Sequence, residues 1–600
     1  MVRICHYLKK NHFTESPNNV LIVDTETKIM TDESGTQNQT FRLGYAIHLL
    51  RQKDGWSERG FVLNSVEDFW KLLDDFSYDK KKLYVFAHNM AFDYTILKLD
   101  SYISSRNLEI TSRVIDSVFM IKAGNILFLS STNYYRQSLK ELGLIFGLSK
   151  MESPDFSNVS DEKLLPYCIR DTQVLTTIIK QHIAFVVDND LGSVKPTIAG
   201  QAFTAFRHRF MSHDLLVHDY SDILEMEKQS YRGGRCEVFK MGKFHDITCL
   251  DINSMYPYVM KTFPYPTKLI SSGIALDVPS DEIKRVIQAG TFVLAECSLD
   301  LKKPVIACKR DKLLFPIGKI KQTITSPEIE YILNNPECGK ILSFDKVVYY
   351  YTAKIFSDYV DFFYNLRCKT ENNAIKTMCK LMMNSLYGKL GQHNYSTPEL
   401  ITDSITKKIY SDMMIENNTM VILDDSRAKY VRIGNDIYLI KKKDGNFARD
   451  SIPIIASAVT SYARMMLWNL MQTAGSENVI YCDTDSLFVN NDGLANLESF
   501  INPTELGKLK IEKSGSCMIH GAKDYTFNGK TKLKGIKENA TKISDDTYIQ
   551  YQFHTKNQRY RDGTPDGIVV VKPITKKLTR NYDKGNVLSS GRVEPLVFTE

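Results

Sequence analysis

VIYCDTDSLFV, residues 479–489, sets two apolar strand halves around Asp483 and Asp485, and a turn here puts both acids at the tip of a hairpin. Carboxylates flanked by apolar strand residues are costly to bury without partners. CLDINSMYPYVM, residues 249–260, has the same form: a strand, then Asp251, then a turn. A site that moves phosphoryl groups with two metal ions needs carboxylates from separate strands meeting at one point. Asp251 and Asp485 are therefore candidate metal ligands, assisted by the Ile252 carbonyl, with Asp483 beside them as a third acid.

Between these segments, NNAIKTMCKLMMNSLYGKLGQ (372–392) reads as one helix over 372–390. Lys376, Lys380, Asn384 and Tyr387 follow at spacings of four, four and three, so they share a face. Lysine point charges there suit a nucleotide triphosphate. Tyr387 can then pack on a nascent base pair, and Gly388 leaves room for a DNA backbone.

A second carboxylate set lies near the N-terminus. VLIVDTET (20–27) and LYVFAHN (83–89) read as buried strands ending in polar residues. Asp24 and Glu26, two apart on an extended chain, point to one side. HNMAFDY adds Asp93, and the helical stretch PYCIRDTQVL adds Tyr167 and Asp171, four apart on one face. Like charges this close repel unless a cation lies between them. Four acids and a tyrosine suit two Mg²⁺ ions that cleave a phosphodiester.

The order DxE, Nx₂FD, Yx₃D resembles the proofreading exonucleases of DNA polymerases. DINSMYP, KLMMNSLYG and YCDTDS resemble the palm and fingers motifs of family B DNA polymerases, with Met255 where Leu is usual. The resemblance implies an α/β and α+β multidomain fold: an RNase H-like 3′→5′ exonuclease domain, then a right-hand palm, fingers and thumb. The implied division is 1–182 exonuclease, 183–230 connecting helical region, 231–537 palm and fingers, and 538–600 thumb. It makes Tyr167 the residue that orients the attacking water. Asn89 and Phe92 hold the frayed 3′ end, with Thr25 and His88 assisting, and Tyr256 is the gate against a ribose 2′-OH. YRGGR (Tyr231, Gly233, Gly234, Arg235) is similar to the YxGG segment that coordinates synthesis with editing. Its glycines and Arg235 are expected to approach phosphate. Lys523 and Tyr525 resemble a KxY primer-strand motif, and Lys534 with Gly535 adds a further expected DNA contact.

Long stretches, about 120 residues from Tyr256 to Lys376 and about 95 from Gly388 to Asp483, resemble the two insertions of protein-primed polymerases. They are expected at about 262–350 and 393–450, the second with a basic β-ribbon over 419–443. YYRQSLKELGLIFGLSK (134–150) supplies Ser138 and Leu139, resembling a segment for single strands and terminal protein. The expected partners are template-primer DNA, dNTPs and a separate terminal protein, since only 23 residues precede Asp24. A monomer is expected, with two Mg²⁺ per active site and Mn²⁺ as the alternative ion. The replicon implied is a linear plasmid or viral genome. Three rival readings differ from this one: an RNA- or DNA-primed family B enzyme, an inactive DNA-binding relic, and a stand-alone exonuclease.

Composition bounds the rest. The 77 basic residues exceed the 70 acidic ones, leaving a formal charge of +7, compatible with a groove for phosphates. The eleven cysteines contain no CxxC pair, which argues against a zinc site or a secreted disulfide framework. No run reaches the ~20 apolar residues of a membrane span, and the N-terminus lacks the apolar core of a secretory signal. The scattered cysteines suggest an intracellular place; the resemblance to polymerases of organellar linear plasmids implies a mitochondrion first, with host cytoplasm as the alternative.

Overall fold

The computed structural model describes residues 3–599 except 79–80, 116–117, 157, 275–277, 394–398, 401–404, 406–407, 410–427, 434–435, 442–446, 556–557 and 560–563. The N-terminal unit is built on a mixed sheet. Asn19–Thr31 pairs antiparallel with Gln37–Gln52 and parallel with Leu83–Ala87, which pairs parallel with Ile126–Ser130. The period-2 alternation of these strands divides two cores. Val20, Ile22, Tyr84, Phe86, Leu127 and Leu129 face one; Leu21, Val23, Leu83, Val85, Ile126 and Phe128 face the other. The long helix Asp161–Asp188 packs on the first of these faces, burying Leu164, Cys168, Leu175 and Ile178. Asp24 and Glu26 thus lie mid-strand, where the buried first half of Asn19–Thr31 gives way to its exposed second half.

The second unit is a seven-stranded sheet in the order Cys236–Val238, Val479–Asp483, Ser486–Val489, Gly242–Ile252, Leu509–Gly521, Asp524–Phe527, Lys530–Lys532. Every pairing is antiparallel. Alternation again sorts the faces: Cys249, Tyr481 and Phe488 pack on one side, and Leu250, Ile252, Cys482 and Leu487 on the other. The helix read over 372–390 is present as Asn373–Leu390. It is capped by Asn372, whose side chain accepts from the Ala374 and Ile375 amides. Beside it lies a helix with no readable stripe, Pro453–Ala474, buried around most of its girth.

The first expected insertion is a sheet of its own. Tyr265–Ile274, Gly339–Ala353, Phe292–Leu301 and Ile317–Thr325 pair antiparallel, and Val597–Thr599 adds a parallel edge strand. In the second, Ala428–Ile433 and Asp436–Lys441 form the expected ribbon; 419–427 and 442–443 lie outside the described residues. The segment expected to be the thumb contributes a hairpin, Thr547–Phe553 with Val569–Lys577, hydrogen-bonded onto the edge of the N-terminal sheet at Gln37–Gln39.

A buried ion pair fastens the five-stranded sheet to the second unit. Glu328 begins the helix Ser326–Asn334, and its carboxylate accepts from the amide and hydroxyl of Thr325, both at 3.0 Å. Its other oxygen accepts from Arg464 Nη2 at 2.9 Å. Burial pushes the Glu328 carboxyl up, but Arg464 and Arg232 outweigh it and hold it below its ordinary value. Arg464→Met is expected to destabilise the protein by about 3–5 kcal/mol, because it strands a buried carboxylate. Chemical denaturation measures this, and a loss under ~1 kcal/mol would remove the pair as an anchor.

Candidate active sites

The N-terminal acids converge as expected. Asp24 and Glu26 come from the central strand, Asp93 from the helix Met90–Ile96, and Asp171 from the helix Asp161–Asp188. Thr25 donates its hydroxyl to Asp93 Oδ1 at 2.8 Å. Burial, then repulsion by Asp93, Asp171 and Glu26, pushes Asp24 well above the ordinary carboxyl range. Glu26 is pushed up to about 7 by burial and then by Asp171; Asp93 is pushed up to about 7 by burial. Asp171 Oδ1 is buried with no hydrogen-bond partner. Crowded hard oxygens that resist ionisation together, one of them orphaned, fit a divalent cation such as Mg²⁺.

Two residues in this site were not anticipated. Lys150 places its ammonium 2.5 Å from Asp171 Oδ2 and 4.7 Å from the centre of the Tyr167 ring. Cys168 holds its sulfur 3.7 Å from Asp24 Oδ2. Burial and then Asp24 push its thiol up, and its sulfur lies within 4.8 Å of carboxylate oxygens of both Asp24 and Glu26. Asn89 stands exposed in a left-handed turn at φ 64°, and Phe92 is half-buried at 6.4 Å from the ring of Phe553 on the C-terminal hairpin. His88 Nδ1 lies 2.8 Å from Ser131 Oγ, and burial with Lys150 pushes its imidazole down to about 4. Tyr167 Oη lies 3.4 Å from Ser153 Oγ.

The raised carboxyls make a signed prediction. Their folded pKa values exceed the unfolded ones, so the folded state holds protons that the unfolded chain releases. The associated stability is present below pH ~4 and is lost as pH rises through about 7. In EDTA the thermal midpoint should therefore fall between pH 5 and 8, and added Mg²⁺ should restore more at pH 8. Glu26→Gln should raise the metal-free midpoint at pH 8 by about 2–4 °C. A midpoint in EDTA that does not change with pH would contradict the crowding.

In the second unit Asp251 lies opposite Ser486 in the ladder, and the Ile252 amide donates to the Asp485 carbonyl at 2.8 Å. This brings Asp251, Ile252 and Asp485 together at the strand ends. Thr484, at φ 65°, makes the tight turn between the two hairpin acids. Burial, then Asp485 and Glu512, push Asp251 up to about 6, and Lys380 acts against the rise. Asp485 is also raised by burial, and Lys380 again opposes it. Lys380 and Asn384 are exposed on their helix, and Lys376 lies 3.5 Å from Glu371. The rings of Tyr256 and Tyr387 stack at 4.7 Å and 16°. Gly388 has no neighbour within 4 Å of where a Cβ would stand. Asp483 also faces Lys523 Nζ at 3.4 Å and Lys532 Nζ at 4.0 Å, while its charge raises Asp485.

Three expected DNA contacts are corrected. Arg235 is 1% exposed, bonded to Glu237 at 2.6 Å and packed over the rings of Phe315 and Trp468. Its charge serves the interior and does not reach a strand. Leu139 is a core residue; its neighbour Ser138, outside these three, stays exposed while it caps the helix Leu139–Phe146 in a reciprocal box with Glu141. Tyr525 is 9% exposed and packs on Tyr481 and Phe488. Of the other YRGGR residues, Tyr231 packs on Gly391 and Gly233 stands open. A Cβ on Gly234 would meet Thr484 Cγ2 at 2.9 Å and Tyr256 Oη at 3.2 Å. Lys523, Lys534 and Gly535 are exposed or half-exposed at turns.

A mixed sheet with clustered acids is thus followed by an antiparallel sheet whose hairpin presents two more. The sequence profile of the family described as DNA polymerase type B, organellar and viral, matches residues 130–467. The chain belongs to this family. A probable DNA polymerase of Neurospora intermedia is 28% identical over 367 residues, 58% of this chain and 36% of that protein. The DNA polymerase of Streptococcus phage Cp-1 is 25% identical over 491 residues, 74% of this chain and 78% of the phage protein. The solved structure of Phi29 DNA polymerase complexed with primer-template DNA and incoming nucleotide substrates shares the fold. Its TM-score is 0.67 at 15% identity, covering 94% of this chain and 100% of that one. The chain spans about a third of the length of the first fungal relatives it matches. Among the described residues no helix is long and apolar enough to cross a membrane.

Proposed function

We propose that this chain is a DNA-directed DNA polymerase with a 3′→5′ proofreading exonuclease, acting in protein-primed replication of a linear plasmid or viral genome. The observation that carries the polymerase reading is the meeting of Asp251 and Asp485 beside Lys380, with Tyr256 stacked on Tyr387. Mg²⁺, or Mn²⁺, held by Asp251, Asp485 and the Ile252 carbonyl at one site, and by Asp24, Glu26, Asp93 and Asp171 at the other, would stabilise charge on the transferring phosphate and activate the attacking oxygen.

The chain's own residues do the rest. Lys380 and Lys376 meet the triphosphate as point charges. Tyr387 presents a flat surface to the nascent pair, and Tyr256 fills the space a 2′-OH would need. Asp483 holds Lys523 and Lys532 at the rim, where they face primer phosphates. At the editing site Thr25 fixes Asp93, Lys150 fixes Asp171, and Phe92 stacks a frayed base of any identity.

The priming partner in this reading is a separate terminal protein offering a Ser, Thr or Tyr hydroxyl to the polymerase site. The family's organellar and viral membership supports this reading and, with it, a mitochondrial location. The sheet over Tyr265–Ala353 is proposed to grip the partner, and the basic ribbon to help enclose DNA. Incubation of a candidate partner from the same replicon with each labelled dNTP and origin DNA tests it. A metal-dependent covalent protein–dNMP adduct, absent with Asp251→Ala, is expected. Efficient extension of RNA primers on that origin with no labelled protein would favour RNA priming instead.

A further inference from the structure

Cys168 stands three residues before Asp171 on the helix Asp161–Asp188, so its sulfur and that carboxylate share a face. The helix packs on the strand that carries Asp24 and Glu26. The sulfur lies 3.4 Å from the Asp24 carbonyl oxygen and 3.7 Å from Asp24 Oδ2. One ligand atom each from Asp24, Glu26 and Cys168 lies within 4.8 Å of the other two. Among the described residues no other three histidine, cysteine, aspartate or glutamate side chains bring their ligand atoms so close. The acids around Asp251 and Asp485 do not.

A buried thiol can simply fill space, and Cys168 does pack in one cluster with Leu43, Leu164 and Tyr167. Packing does not account for the oxygen beside it. Asp171 is 4% exposed, and its Oδ1 has no hydrogen-bond partner, while Oδ2 is taken by Lys150 at 2.5 Å. The charge of Asp171 is the largest electrostatic influence on Glu26 and also acts on Asp24 and Cys168, so the idle oxygen belongs to the same cluster. A buried orphan oxygen and a sulfur close to two further carboxylates are left incomplete without a cation.

We propose that Cys168 is a metal ligand, joining Asp24 and Glu26 in a mixed sulfur–oxygen site that takes the thiophilic cation Zn²⁺ through its sulfur. Binding follows from the geometry; its effect on trimming rests on the proposed editing role of these acids.

Selectivity follows from ligand chemistry. Mg²⁺ demands oxygen ligands in near-octahedral geometry and keeps several waters. Zinc accepts thiolate together with carboxylate. Without a cation the surrounding carboxylates oppose a thiolate. A bound cation reverses that balance, and the coordinating thiol releases its proton to solvent. Because Asp24 and Glu26 are shared, Zn²⁺ held there competes with Mg²⁺ for them. Asp251 and Asp485 form no such group with a sulfur, so Zn²⁺ that fills the Cys168 site should slow trimming more than synthesis.

The test titrates Cd²⁺, a spectroscopic stand-in for Zn²⁺, into the metal-free full chain and follows the sulfur-to-cadmium charge-transfer band in the ultraviolet. Competition then gives the Zn²⁺ affinity, and melting with added Mg²⁺ gives the Mg²⁺ affinity. Eleven cysteines are present, so each reading is the difference between the parent and Cys168→Ser. A difference band that weakens in Glu26→Gln is expected. Cys168→Ser should lower Zn²⁺ affinity by about tenfold or more and leave Mg²⁺ affinity within about threefold. Equal Zn²⁺ affinity in the parent and Cys168→Ser overturns the proposal. So does a difference band indifferent to Glu26→Gln, which would make Cys168 a lone thiol. Cys168→Ala repeats the comparison, and melting curves show that each variant folds. The editing role is judged separately, by trimming in Asp24→Ala combined with Glu26→Ala. Trimming that persists there removes the editing role and leaves the metal site standing; trimming lost there, with no Cys168 band in the parent, does the reverse.

Discussion

Asp251→Ala or Asp485→Ala is expected to lower nucleotide addition by on the order of 10³-fold or more, while degradation of a single strand stays within about twofold of the parent. The size follows from what these residues do. Charge stabilisation by a bound metal contributes several kcal/mol to phosphoryl transfer, and each ~1.4 kcal/mol is a factor of ten. The neighbouring acids are already paired, Asp483 with Lys523 and Lys532 and Glu512 with Lys510 at 2.7 Å. The independence of the exonuclease follows from the fold, because the two acid sets stand on different sheets. Primer extension and single-strand trimming on one purified preparation measure both. Loss of the two activities together in a folded variant would refute separate sites.

The acids were legible because their neighbours are not. A carboxylate between Val23 and Glu26, or between Tyr481 and Leu487, breaks a run of buried strand residues, and no core requires it. Lys380, Asn384 and Tyr387 were legible for a related reason: the Met378, Met382 and Leu386 face is buried, so the opposite face is left to a ligand. Arg235 misled for a physical reason as well. Two glycines and an arginine look like a phosphate loop, but a guanidinium also packs flat on aromatic rings, and Phe315 and Trp468 come from distant segments.

Other features leave little mark on the sequence. The helix Pro453–Ala474 is buried around most of its girth, so it has no polar stripe to set its period. Lys150 reads as one more surface lysine until the fold brings it to Asp171. The C-terminal hairpin joins the N-terminal sheet through backbone pairing of Val569–Val571 with Gln37–Gln39. Such bonds are indifferent to side chains, so composition does not announce them. That hairpin also carries Phe553 to within 6.4 Å of Phe92, which ties the segment expected to be the thumb to the proposed binder of the frayed 3′ end.

Asp24→Ala combined with Glu26→Ala should abolish 3′→5′ trimming, again by on the order of 10³-fold or more, with synthesis retained. Here loss of chemistry can be separated from loss of fold by the sign of a stability change. Asp24 and Glu26 are held above their ordinary range by burial and by repulsion from each other, Asp93 and Asp171. Removing both relieves that repulsion, so in EDTA at pH 8 the variant should melt no lower than the parent. With Mg²⁺ present the parent should gain stability that the variant does not, because the variant has lost two of the four carboxylates that would hold the ion. The partner residues should respond in kind. Lys150, now facing a less acidic site, still pairs with Asp171, so Lys150→Ala in the double variant should change trimming no further. Trimming of a mismatched 3′ end and melting with and without Mg²⁺ are read on the same samples. A double variant that still trims at the parent's rate would remove this acid set from catalysis.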